Sequence, residues 1–389
     1  VAPLEVADHL VVDGPGGTQV PRAVIDAMVG YLERSNANTH GAFPTSRETD
    51  AVIADVHGAA ADLLGCGRDE VVFGQNATSL LFAVSRAIGR TLSPGDEVVV
   101  TRLDHDANVR PWVRMAEDAG ATVRWVDLRD DDVTLDLASF DAALTERTKV
   151  VAFTLASNAV GSTTPAADLA RRAHAVGAIV AMDAVHATPH RPIDVAALGA
   201  DLLACSAYKF FGPHMGVLFA RREHLAAWPA YKVRPATEAL PHRWETGTQN
   251  HEGYAGTTAA IEYLADLGEG TDRRARLTSA MTRIAEHEAR LSTRFLEGLA
   301  ARPDIALYGI ADPARAAERT PTFAVRVGDE APAATAHRLA DAGIYAWDGN
   351  YYALELMERI GLEGRGGAVR IGFAHYNTLD EVDRVLEAL

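Results

Sequence analysis

Leu202-Leu203-Ala204-Cys205-Ser206-Ala207-Tyr208-Lys209-Phe210-Phe211-Gly212-Pro213 sets an apolar run directly before a lysine, and the lysine directly before a Gly-Pro turn. A short continuous apolar run of this kind predicts a strand buried on both faces, as in a parallel sheet covered by helices. Lys209 then stands at the carboxyl end of a strand, where open α/β sheets take their ligands. Burial there disfavours the charged amine, and the neutral amine is the nucleophile that Schiff-base chemistry needs. For the stretch taken alone, a lysine in a surface loop is the commoner reading.

The same texture extends on both sides. Val71 to Phe73, Glu97 to Val100, Val150 to Thr154, Ile179 to Asp183 and Gly216 to Ala220 read as further strands, separated by Ala-rich segments of helical period. This predicts an α/β domain built on a mostly parallel sheet. After Asn250 the pattern changes to a long amphipathic helix over about 273–301, strand-like Thr322 to Val327, a helix near 333–342 and strand-like Ala368 to Phe373. That second texture predicts a smaller α+β unit, and 389 residues exceed what one core usually holds.

Asp183 closes the Ile179 run in Met182-Asp183-Ala184-Val185-His186, so an acid and a lysine end two strands of one predicted sheet. A helix N-cap is the other use of such an aspartate. Gln75-Asn76-Ala77-Thr78-Ser79 opens an apolar helix over about 80–88, and small residues there present free N–H groups suited either to a phosphate or to a plain cap. Gly14-Pro15-Gly16-Gly17 fits neither a Walker loop nor the dinucleotide fingerprint, because the strand, spacing and lysine those need are missing.

A net charge of −16 argues against nucleic acid, and two cysteines, Cys66 and Cys205, make neither a disulfide framework nor a metal cluster. The first residues, with Glu5 and Asp8, lack a basic-then-apolar leader, and no apolar run reaches the roughly 18 residues of a membrane span. The expectation is a cytoplasmic protein with no metal, nucleic-acid or membrane partner.

Six stretches in order resemble the class V aminotransferases, pyridoxal 5′-phosphate (PLP) enzymes of fold type I, and in particular their cysteine-desulfurase-like branch. They are Leu103-Asp104-His105-Asp106-Ala107-Asn108 with Pro111-Trp112, Ser157-Asn158-Ala159-Val160-Gly161, Asp183-Ala184-Val185-His186, Ser206-Ala207-Tyr208-Lys209, Glu245-Thr246-Gly247-Thr248, and Arg370 with His375-Tyr376-Asn377-Thr378. The resemblance implies a large α/β domain over 15–261 with a mostly parallel seven-stranded sheet, and a smaller α+β domain from 1–14 and 262–389. It implies that Lys209 carries PLP as an imine and moves the Cα proton, that Asp183 pairs with the pyridinium, and that His105 stacks on the ring. Ala77, Thr78 and Ser206 would hold the phosphate, His186 would reach the phenolate oxygen, and Arg370 with Asn158 would clamp the carboxylate of an amino-acid substrate. Thr248 would reach the phosphate of a neighbouring subunit, which implies a homodimer with shared active sites.

Two positions depart from the desulfurases. Tyr352, in Trp347-Asp348-Gly349-Asn350-Tyr351-Tyr352-Ala353, stands where their mobile-loop cysteine falls, and Tyr208 stands where they have a histidine. A phenol stores no persulfide, so Tyr352 is expected to line the substrate pocket. The expected reaction is a carbon–sulfur β-elimination. Transamination or epimerisation is the alternative, and a non-catalytic ligand-binding paralogue is the second.

Overall fold

A computed structural model describes residues 9–389. Glu5 and Asp8, and with them most of the predicted 1–14 segment, lie outside the described residues. The central sheet has seven strands, in the spatial order Val71–Gly74, Gly216–Ala220, Leu202–Ser206, Ile179–Asp183, Thr148–Thr154, Glu97–Thr101, Thr122–Val126. All pair in parallel except through Gly216–Ala220, which runs antiparallel to both neighbours. This is the fold-type I α/β architecture that the sequence predicts.

Why these runs lack a polar alternation is visible in their two faces. Val99, Val151, Phe153, Val180, Met182, Leu203, Cys205 and Val217 point into one apolar core, while Val98, Val100, Val150, Ala152, Ala181, Leu202, Ala204 and Leu218 point into another. Side chains alternate sides along a strand, so a sheet covered on both faces needs apolar residues at every position. The edge strand Thr122–Val126 is half-buried and carries Arg124, which breaks the apolar run and hides the strand from sequence reading.

A second sheet of four antiparallel strands, ordered Trp347–Gly349, Ala368–Gly372, Thr322–Val327, Ile305–Tyr308, packs on the long helix Arg273–Ala300 through Phe295, Phe323 and Phe373. Asp272 starts that helix by accepting from the Ala275 N–H (2.8 Å), an aspartate cap. Two local readings need correction. The helix expected over 80–88 spans Ala77–Gly89, because Asn76 caps it with Ser79 in a reciprocal box. The stretch over 347–353, read as one loop, begins as the strand Trp347–Gly349.

Phe153 is fully buried in the strand Thr148–Thr154 and touches the core on one face. Phe153→Ala is expected to cost about 3–5 kcal/mol, read as a lowered denaturant midpoint with an unchanged slope.

Candidate active site

The carboxyl ends of the central strands open into a cavity of about 820 Å³ whose other wall comes from the second sheet. Lys209, Asp183, His105, His186, Ser206, Ala77, Thr78, Asn158, Arg370 and Tyr352 all line it. Thr248 does not. It sits exposed in a second depression of about 1090 Å³. The turn carrying it is anchored by Glu245, whose carboxylate accepts from His57 Nε2 (2.9 Å), His242 Nδ1 (2.9 Å) and the Phe73 N–H (3.0 Å). Burial pushes that carboxyl up, but the hydrogen bonds from His242 and His57 outweigh it and bring it to about 2.

Lys209 follows the strand Leu202–Ser206 through one tight turn, which buries its amine. Burial, then the Arg370 charge, lowers its pKa to about 7, against smaller opposing pulls from Asp13 and Asp183. The amine donates to the Pro15 carbonyl and lies 4.7 Å from the centre of the Tyr208 ring, which itself stacks on His214. Asp183 ends its strand fully buried. Desolvation raises its carboxyl to about 6, although the Val185 N–H (2.7 Å) and the Lys209 charge pull the other way. Among the described residues the carboxylate accepts that one hydrogen bond. It therefore suits a cationic N–H in the cavity, the protonated ring nitrogen of PLP being one.

His105 Nδ1 accepts from the Ala107 N–H (3.0 Å), so the ring proton belongs on Nε2. Burial, aided by Lys209 and Arg370, holds the imidazole pKa down at about 4, so it is a neutral flat surface at physiological pH. The Tyr352 ring stacks on it at 5.6 Å between centroids and 26° between planes. Ala77 and Thr78 are the first two residues of their helix, where N–H groups have no partner within the helix and the dipole favours an anion. Gly216 permits that helix to start so close to the sheet, because a Cβ there would run into the Asn76 and Ala77 backbone. The hydroxyls of Thr320 (3.0 Å) and Thr322 (3.1 Å) meet His186 Nε2, and burial keeps this histidine well below its usual pKa.

Opposite this floor, Arg370 is held by Asp13 Oδ1 (2.9 Å) and the Asn158 carbonyl (3.2 Å), with its guanidinium over the Tyr351 ring at 4.5 Å. Asn158 Nδ2 donates to the Tyr351 carbonyl (2.9 Å). Arg370 Nε and Asn158 Oδ1 are buried without a hydrogen-bond partner. A donor and an acceptor left so are costly unless a ligand or water meets them. Asp13, Pro15 and the Tyr208–His214 stack escaped sequence reading; the one available signal was Asp13 standing next to the unassigned Gly-Pro-Gly-Gly motif.

The residues thus fit PLP: a buried amine, a buried carboxylate, a flat neutral ring and a helix N-terminus share one cavity. A family model described as "Aminotransferase class-V" matches residues 10–385. The chain is similar to a "Probable cysteine desulfurase" of Streptomyces coelicolor, 34% identical over 97% of this chain and 90% of the relative. It is also similar to the "Aminotransferase-like protein FGM3" of Gibberella zeae, 32% identical over 97% and 93%. Among solved structures, the cysteine desulfurase from Thermococcus onnurineus superposes with a TM-score of 0.87 at 28% identity, covering 97% of this chain and 93% of that one.

The lowered Lys209 pKa has a direct readout. In protein freed of cofactor, trapping of an aldehyde on Lys209 by borohydride, followed by mass spectrometry, is expected to rise with pH through a midpoint near 7 and then level off. A midpoint above 9 would contradict the burial argument.

Proposed function

The chain belongs to the aminotransferase class-V family, and on that footing we propose that it eliminates the sulfur substituent from the Cβ of an α-amino acid, giving pyruvate and ammonia, without loading sulfur on a protein thiol. It is a PLP-dependent enzyme acting on amino acids, as members of this family are. When bound, the cofactor supplies an electron sink for the pair left at the substrate Cα.

The chain's own residues do the remainder. In this reading Arg370 and Asn158, which both line the cavity, take the α-carboxylate, and Arg370 keeps N–H donors beyond those spent on Asp13 and the Asn158 carbonyl. Lys209 Nζ, whose pKa burial lowers to about 7 so that a good part of it is neutral there, takes the Cα proton. Asp183 would hold the ring nitrogen's proton, His105 would cover one ring face and His186 would meet the phenolate oxygen, while Ala77, Thr78 and Ser206 would hold the phosphate. Tyr352, stacked on His105 at the cavity wall, borders the side-chain pocket. The Cβ–S bond then breaks with its electron pair leaving on sulfur, and the unsaturated product hydrolyses to pyruvate and ammonia.

The observation that carries this choice is the location of the two thiols. Neither Cys66 nor Cys205 lines the cavity. Burial raises both to about 12, so neither supplies a thiolate at neutral pH, the form that attacks sulfur. At the tip of the second sheet the residue facing His105 is Tyr352. The aminotransferase-like relative from Gibberella zeae supports transamination as a second reading.

The reading extends to assembly. Thr248 of one subunit is taken to reach the phosphate in a second copy, which agrees with its exposed turn and its distance from its own cavity lining. Residues 15–261 are taken as the cofactor unit and 262–389, with the described residues 9–14, as the smaller one. The two free cysteines accord with work in the cytoplasm. Among the described residues no helix is long and apolar enough to cross a membrane.

Offered S-substituted cysteines, the PLP-loaded protein is expected to release pyruvate and thiol, with Lys209→Ala giving neither. A new amino acid formed from an added keto acid would instead establish the transamination reading, and catalytic alanine plus sulfide from cysteine would overturn the thiol argument. Arg370→Ala is expected to raise KM at least about tenfold with a smaller change in kcat; an unchanged KM would remove Arg370 from the clamp.

A further inference from the structure

Gly14-Pro15-Gly16-Gly17, which fits no nucleotide fingerprint, runs as a strap through the site. It follows the short strand Leu10–Val11 and is zipped onto the end of the strand that carries Arg370: the Gly14 N–H donates to Gly372 O (3.0 Å) and the Gly372 N–H to Val12 O (2.7 Å). Two glycines permit the fit. A Cβ on Gly372 would run into the Pro15 ring, and one on Gly16 into the Asp13 carboxylate. The N–H groups of Gly16 (2.9 Å) and Gly17 (3.1 Å) both donate to the Asp13 carbonyl, closing a tight turn.

Two cations of the cavity, Lys209 and Arg370, end on this strap. Lys209 Nζ donates to the Pro15 carbonyl, and Arg370 Nη2 donates to Asp13 Oδ1 at 2.9 Å. The Arg370 side chain is 4% exposed, and among the described residues Asp13 is the carboxylate within ion-pair distance of it. A guanidinium so buried needs a counter-charge, and removing one partner of such a pair leaves the other uncompensated. With Nη2 on Asp13 and Nη1 on the Asn158 carbonyl, the group left without a partner is Nε. Two of the five guanidinium N–H donors are thus fixed, and each Nη keeps a second one for a ligand.

We propose that Asp13 is a positioning residue for the carboxylate clamp: it neutralises Arg370 and sets the guanidinium plane so that an incoming α-carboxylate meets an already oriented donor. The inference rests on Arg370 being that clamp. The opposite arrangement is competition, with Asp13 occupying the place the substrate carboxylate needs. The two differ in sign.

The test titrates the PLP-loaded protein with propionate, a carboxylate without a reacting amine, by calorimetry, and compares steady-state constants. Asp13→Asn is expected to weaken propionate binding about fivefold and raise KM for the amino acid by a similar factor, with kcat within about twofold and the visible absorbance band unmoved. Tighter or unchanged propionate binding in Asp13→Asn overturns the proposal. Asp13→Ser carries the same expectation should the first variant not fold, and Asp13→Glu, which restores the charge, is expected to bind between native and Asp13→Asn. Arg370→Ala separates the two levels: if it binds propionate as tightly as the native protein, the clamp reading fails whatever Asp13 does.

Discussion

Everything in the cavity follows from taking one amine out of water. Lys209 is useful only while its nitrogen keeps a lone pair near neutral pH, and the fold secures this by burial first and by the Arg370 charge second. Burial of that depth at a chain segment that must remain reachable is possible at few places in a protein. The carboxyl edge of a sheet covered on both faces is one of them, because the strands stop while the helices above and below continue. The apolar residues at every position of the central strands and the reactivity of the lysine are therefore one constraint seen at two scales.

The charges around that amine are arranged in two matched pairs. On the floor, desolvation raises the carboxyl of Asp183 to about 6, which records how poorly a buried site tolerates an unpaired charge. On the roof, Arg370 already has its anion in Asp13. The floor is thus completed by a bound group and the roof by the chain itself. Strands from two different sheets supply these parts, and Asn158 and Tyr351 fasten the sheets together at the place where they meet.

The parts of this arrangement that were legible from sequence are those dictated by burial. Asp183 and Lys209 could be placed at strand ends because continuous apolar runs stop at them, and Ala77 and Thr78 at a helix start because small residues precede an apolar period. The strand Thr122–Val126 was hidden by its own exposure, which removes the periodic signal. Asp13 was hidden because its partner lies 357 positions away, and no local pattern announces an ion pair of that span. The roles of Arg370 and Asn158 came from resemblance alone, since a lone arginine beside a strand and a lone asparagine in a turn carry no chemistry of their own until the fold sets them together.

The tip that faces His105 has a conformation with consequences of its own. Tyr351 and Tyr352 both adopt left-handed backbone angles, φ 55° and 56°, which cost a side-chain-bearing residue about 1–2 kcal/mol each. Their carbonyls are taken by Asn158 Nδ2 and by the Asp106 N–H at 2.7 Å, so anchors on the first sheet hold the coil wound. A segment tensioned in this way acts as a fixed cornice and gives up the slack that a swinging sulfur courier requires. Exchanging one side chain at its crest would alter what the cornice displays while leaving it moored.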